Sequence, residues 1–314
     1  MSAPTSNLNS DNNITRTSLC LPPTETRPHR LLTLPNKLEI ILISDPEADK
    51  SAAALDVGVG HLEDPANLPG CAHFCEHMMF LGTKTFPKEN AYNTYLTSHN
   101  GHSNAYTDLC NTNVSPLLLL DRDELELALI LPHEKSLQYY FEVAPNALQG
   151  ALDRFAGFFS EPLFAEDCTE REANAVNSEH KKNLQSDMWR FYQLEKHLSS
   201  PEHPYHKFGT GSLETLWTTP KSQDRDPRAE LIEWWKKEYC ASRMKLVVLG
   251  KEDLDTLEGW VRERFEKVEY KGKEKVMYSD KVFEEGQMGV SLNIATVESV
   301  PRSLSHCIST RTSM

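Results

Sequence analysis

The run His73-Phe74-Cys75-Glu76-His77 constrains this chain more than any other stretch, because its imidazoles and carboxylate act together in only one backbone conformation. In an α-helix, at 3.6 residues per turn, positions i and i+4 stand one above the other and i+3 shares their face. His73, Glu76 and His77 then converge, while Phe74, Met78 and Leu81 form an apolar stripe that packs inward. Two imidazoles from one helical turn, with a third protein ligand from elsewhere, make a catalytic zinc site whose fourth position is left to water. Zinc lowers the pKa of that water towards about 7. Glu76 is placed to accept its proton and later to pass it to a leaving amine. The order His-x-x-Glu-His inverts the commoner zinc-peptidase helix. Cys71 and Cys75 each precede a histidine by two residues, about 200° around a helix, so they face away from the metal position. The chain has no Cys-x-x-Cys pair, which disfavours a structural zinc site.

The third ligand has to come from the rest of the fold. Leu38–Ile43, Ala52–Val59, Ser103–Thr107, Tyr139–Val143 and Lys245–Leu249 read as strands. The joint at residues 45–50 fits a hairpin or a short crossover, and Ser103–Thr107 reads as an exposed edge strand. Helices are expected over Lys88–His99, over Asn146–Phe159 with Asn146 as N-cap, over Arg228–Tyr239 and over Leu254–Phe265. One long helix is expected from Glu166 to Leu198, since neither proline nor glycine interrupts it. Glu172 and Glu179 lie seven residues, two turns, apart on that helix and so share a face. The mixture without strict βαβ alternation predicts an α+β fold, a mixed sheet with helices packed on one face.

Residues 1–28 are rich in Ser, Thr, Asn and Pro and read as a disordered tail. Residues 29–270 form the folded unit and 271–314 a linker and tail. A net charge of −13 argues against a nucleic-acid partner. No run of 18 apolar residues exists, so no membrane-spanning helix is expected. Seven cysteines without framework spacing read as thiols of a reducing compartment, here the cytoplasm, with mitochondrion and peroxisome as alternatives.

Several long blocks carry a resemblance. They are Gly70 with His73–Lys84, Phe86–Asn90, Gly150–Phe155, Arg171–His180 and Lys207–Gly211. In family order, over roughly residues 28–282, they resemble the pitrilysin-type zinc peptidases (inverzincins, M16), and within these the N-terminal catalytic domain of the insulin-degrading-enzyme (insulysin) branch. The resemblance implies Zn2+ held by His73, His77 and Glu179, with Glu76 as general base and Glu172 as a carboxylate supporting the ligands. It implies Asn104, Ala105 and Phe80 as substrate contacts, the first two on an edge strand that a peptide joins as an added strand. It also implies that Cys75 offers a route to thiol sensitivity. The expected activity is a zinc metalloendopeptidase acting on oligopeptides and small unfolded polypeptides. Its partners are peptide substrates and, in a full-length homologue, a C-terminal half. The alternatives are a truncated, catalytically incompetent zinc- or peptide-binding fragment and a mitochondrial processing-peptidase-like subunit, which fits the later blocks less well.

Two departures from the family pattern stand out. Val114–Gln138 is an insertion of 25 residues, and the chain loses resemblance from Val290 to Met314. Each segment opens with Val-Ser, whose codons can spell a splice donor, so both are read as translated intron; the structural alternative for the first is a protruding surface loop. Amplified transcript across residues 113–139 and 289–314 is expected to lack these codons, and uniform retention would count against the intron reading.

Overall fold

The sheet exists because alternate residues of its strands are apolar, and the register places those residues on a single face. The computed structural model describes residues 14–107 and 137–274, with 276, 278, 279, 281–284 and the backbone of 291–292 and 306–307. Seven strands form one sheet: β1 (Thr15–Thr17), β2 (His29–Thr33), β3 (Glu39–Ser44), β4 (Ser51–Val57), β5 (His102–Thr107), β6 (Leu137–Val143) and β7 (Met244–Gly250). Their order is β1-β2-β3-β7-β4-β6-β5. All neighbours are antiparallel except β3 and β7. Leu55 lies between Leu246 and Tyr139, and Ala53 between Val248 and Phe141, while Ile40 and Leu42 continue the same face across β7. These residues are buried, whereas Ala52, Ala54, Asp56, Lys245 and Val247 on the other face are only half-buried.

Helices cover the apolar face. They are α1 (Cys71–Met79), α2 (Ala91–Ser98), α3 (Leu148–Ser160), α4 (Thr169–Asn183), α5 (Asp187–Leu198), α6 (Pro227–Glu238) and α7 (Leu254–Phe265). Helix α3 carries three rings into the core, Phe155 against Phe141 and Phe265, Phe158 against Tyr92, and Phe159 against Tyr139. Each such ring contributes roughly 2 kcal/mol by leaving water. The fold is α+β, as the sequence predicts.

Several expected boundaries move. Residues 14–28 do not belong to a disordered tail: β1 pairs with β2, and Arg16 and Arg30 both reach Glu258 of α7, at 2.6 and 2.8 Å. The joint between β3 and β4 is a crossover, because β7 inserts between them. The helix expected over 166–198 is two helices. It breaks at Leu184–Ser186, where Ser186 adopts extended backbone before Asp187, both of them residue types that favour helix starts. Helix α3 begins at Leu148 after a single 3-10 turn, with no side-chain cap from Asn146. The proposed insertion falls largely on residues outside those described, but Leu137 and Gln138, assigned to it above, belong to β6.

The position of α1 is set by Asp64. Its buried carboxylate accepts the Gly70 and Ala72 N–H groups, each at 2.8 Å, and so satisfies amides that a helix start leaves unpaired. Lys207 donates to the carbonyls of Leu62 and Asp64, both at 2.7 Å, which fixes the turn before the helix. Asp64→Ala is expected to cost about 2–4 kcal/mol in urea unfolding, since both amides would lose a partner; a loss below about 1 kcal/mol would mean that water substitutes for the carboxylate.

Candidate metal centre

Helices α1 and α4 pack against each other and bring three donor groups together from two distant parts of the chain. The donor atoms of His73, His77 and Glu179 all lie within 4.8 Å of one another. His73 Nε2 is 3.2 Å from one Glu179 oxygen, and His77 Nε2 is 3.6 Å from the other. The two imidazoles stand nearly perpendicular, with centroids 4.9 Å apart, and the i, i+4 spacing accounts for their closeness. Glu179 is 51% exposed, so the cluster opens to solvent on its side.

Each imidazole is oriented through its other nitrogen. His73 Nδ1–H donates to the Thr210 carbonyl at 2.7 Å, and His77 Nδ1–H donates to Glu172 at 3.3 Å. Both bonds turn Nε2 towards Glu179, so that each imidazole presents to a metal the nitrogen whose proton the ion would displace. Glu172 is itself held at 3.1 Å by Arg171, whose other end pairs with Glu89 at 2.6 Å. Bonds of about 2.0–2.2 Å to a tetrahedral zinc would set donors about 3.3–3.5 Å apart, close to the distances here.

The electrostatics also favour a cation. Glu76, Glu172 and Glu179 face two imidazoles, an excess of negative charge. Contacts with His73 and then His77 hold the Glu179 carboxyl well below the usual carboxylate range. Burial acts to lower the pKa of His77, but Glu172 and then Glu179 carry it up to about 10. A divalent ion can take the place of the proton these carboxylates attract. The residues present therefore fit a zinc ion.

Glu76 sits on the same face of α1 but is only 8% exposed, and its Oε2 accepts the Thr107 hydroxyl at 2.6 Å. Burial raises its pKa against the pull of His73 and Thr107, which makes it a stronger base than a solvated glutamate. Thr107 ends β5, the last of the described strands on this side of the sheet. Asn104 and Ala105 lie on that edge, where the Asn104 side chain accepts the Ala105 N–H at 2.9 Å. Phe80 is elsewhere, at the end of α1, and packs on Phe158, Tyr92 and Tyr139. Beside it is a cavity of about 10 Å3, room for about one water.

Cys75 does not offer the expected thiol route. It is fully buried, and burial pushes its thiol far above the ordinary range, so a reagent finds neither access nor thiolate. Conversely, sequence reasoning missed Thr210, Thr107, Asp64, Arg171 and Glu89. Thr210 lies in the noted block Lys207–Gly211, but it acts through a backbone carbonyl that no residue type announces.

Comparison with known proteins gives the chain's relatives. Residues 39–129 and 133–202 match the family described as insulinase (peptidase family M16), and residues 227–292 match that described as peptidase M16 inactive domain. The A-factor-processing enzyme of Saccharomyces cerevisiae is 47% identical over 281 residues, covering 90% of this chain and 25% of that one. The insulin-degrading enzyme of Drosophila melanogaster is 47% identical over 276 residues, covering 88% and 25%. The chain thus spans about a quarter of the length of these curated relatives. The crystal structure of pitrilysin superposes with a TM-score of 0.73 at 32% identity, covering 85% of this chain and 26% of that one.

The carboxylate behind His77 gives a test of the centre. Glu172→Gln keeps the shape but weakens the hold on Nδ1–H, and is expected to lower zinc affinity about 10–100-fold in chelator competition. Affinity equal to wild type would show that Glu172 does not support the ligand.

Proposed function

Since this chain belongs to the insulinase family of peptidases, we propose that it is a zinc metalloendopeptidase domain that hydrolyses peptide bonds in oligopeptides and small unfolded polypeptides. The observation that carries the reading is the convergence of two Nδ1-anchored imidazoles and Glu179, beside a buried carboxylate that is free to act as a base. Bound zinc would supply a Lewis acid that polarises the scissile carbonyl and acidifies water. His73, His77 and Glu179 would hold it.

Glu76 takes the proton of the attacking water and returns it to the departing amine, its pKa raised by burial towards the working range. Thr107 holds the Glu76 carboxylate by one oxygen and leaves the other available. A peptide pairs along β5 at Asn104 and Ala105, where Asn104 must release the Ala105 N–H before a substrate carbonyl can accept it. Backbone pairing of this kind reads extended chain rather than sequence. Phe80, packed on Phe158, Tyr92 and Tyr139, would reach a substrate only through its part-exposed edge. In a full-length homologue the C-terminal half would enclose the substrate and exclude water. A reducing cytoplasmic setting suits the buried thiols Cys71, Cys75, Cys168 and Cys240.

The half-exposed Glu179 favours one second reading, a site that binds zinc and peptide without turnover because it stands open to solvent on that side. One experiment separates the two. With zinc-loaded protein and a fluorogenic peptide, Glu76→Gln is expected to lower kcat about 10²–10⁴-fold while zinc stoichiometry stays the same. Zinc and peptide binding without turnover in wild type would establish the second reading, and full activity in Glu76→Gln would remove Glu76 from the mechanism.

A further inference from the structure

A lysine is buried behind the metal centre in a place the proposed chemistry does not use. Lys196 of α5 is 1% exposed, and its ammonium donates to His61 Nε2 at 2.9 Å. The rings of Tyr192 and Tyr205 lie 5.6 and 5.9 Å from the same nitrogen. His61 is itself 5% exposed, and burial, with the positive charges of Lys196 and Lys207, keeps its pKa well below the ordinary value. Its neutral ring is thus an acceptor at Nε2, held in one orientation by an ammonium.

That ring is the surface on which the loop at 209–211 rests. A Cβ on Gly209 would lie 2.5 Å from His61 Cγ, so the bare backbone is pressed against the imidazole. The next residue, Thr210, supplies the carbonyl that anchors His73 Nδ1–H. On the other side the loop meets the start of α1, where a Cβ on Gly70 would lie 2.3 Å from Gly211 Cα. The segment is wedged between the His61 ring and α1 at its two glycines, where bare backbone makes both contacts. Its height is set by the His61 ring.

We propose that the buried Lys196–His61 pair is a positioning device for the metal ligand His73, acting through the Gly209–Thr210 backbone. The pair touches neither metal nor substrate. It fixes where one carbonyl stands, and that carbonyl fixes the tautomer and rotation of His73. An imidazole whose Nδ1 partner moves by about 1 Å loses its hydrogen bond. Loss of such a partner lowers metal affinity about 10–100-fold. The inference rests on the metal-centre reading above and adds to it a dependence on groups two contacts away.

The test uses the full 314-residue chain and inorganic zinc. Lys196→Met keeps the length of the side chain and removes the ammonium, so that His61 Nε2 loses its donor. The metal-free melting temperature is expected within a few degrees of wild type, while the zinc Kd measured by chelator competition rises about tenfold. The visible bands of the cobalt-substituted protein should change in intensity, a signature that a purely structural lysine would not move. Gly209→Ala, which forces the loop off the His61 ring, should raise the Kd in the same direction and serves as the reading if Lys196→Met does not fold. A folded variant of either kind with zinc affinity within twofold of wild type and an unchanged cobalt spectrum overturns the proposal. Failure of wild type to bind zinc would instead overturn the metal centre itself, so the two readings fail separately.

Discussion

Two backbone amides donating to one buried carboxylate decide where α1 begins, and the centre depends on that start. If Asp64 did not take the N–H groups of Gly70 and Ala72, the helix could fray by a turn. His73 is only the third residue of α1, so fraying would take a ligand with it. Gly70 adopts φ +90° at the same point and Gly211 φ +80° opposite it, and the two backbones meet where no side chain fits. One contact thus ties the helix start to the loop that carries Thr210.

The second constraint is electrostatic. Three carboxylates and two imidazoles crowd a volume a few ångströms across, and each takes a different role from its surroundings. Glu179 is half exposed, meets both Nε2 atoms and stays ionised. Glu172 faces His77 Nδ1 and is steadied by Arg171. Glu76, nearly out of water and tied to Thr107, has its pKa raised by burial. Chemically identical side chains become ligand, support and base because burial and hydrogen bonding differ at each. The same β5 that presents an edge for pairing also ends in the residue that steadies the base, so strand position and base geometry are linked.

Much of this could be read from residue order. The i, i+4 histidines with Glu76 between them required a helix, and the alternation of Ala53, Leu55 and Val57 or of Leu246 and Val248 required one buried sheet face. Local periodicity is a property of the chain itself, and Glu172 and Glu179 were placed on one helical face by spacing alone. Asp64, Thr107 and Thr210 were not legible, because each acts through a contact made across distant parts of the chain. The break at Leu184–Ser186 escaped as well, since the chain turns there without proline or glycine.

The sequence by itself determined a helix that offers two imidazoles and a base, a second helix with two carboxylates on one face, and the strands of an α+β core. Only the tertiary structure decided that these helices meet. It also decided which nitrogen of each imidazole is anchored, which carboxylate keeps its charge, and that Cys75 is sealed away inside the motif. The physical reason is range: helix and strand periodicity are written within a few residues. Burial and the partner of each polar atom are set by distant segments, 137 positions apart for His73 and Thr210 and 242 for Arg16 and Glu258.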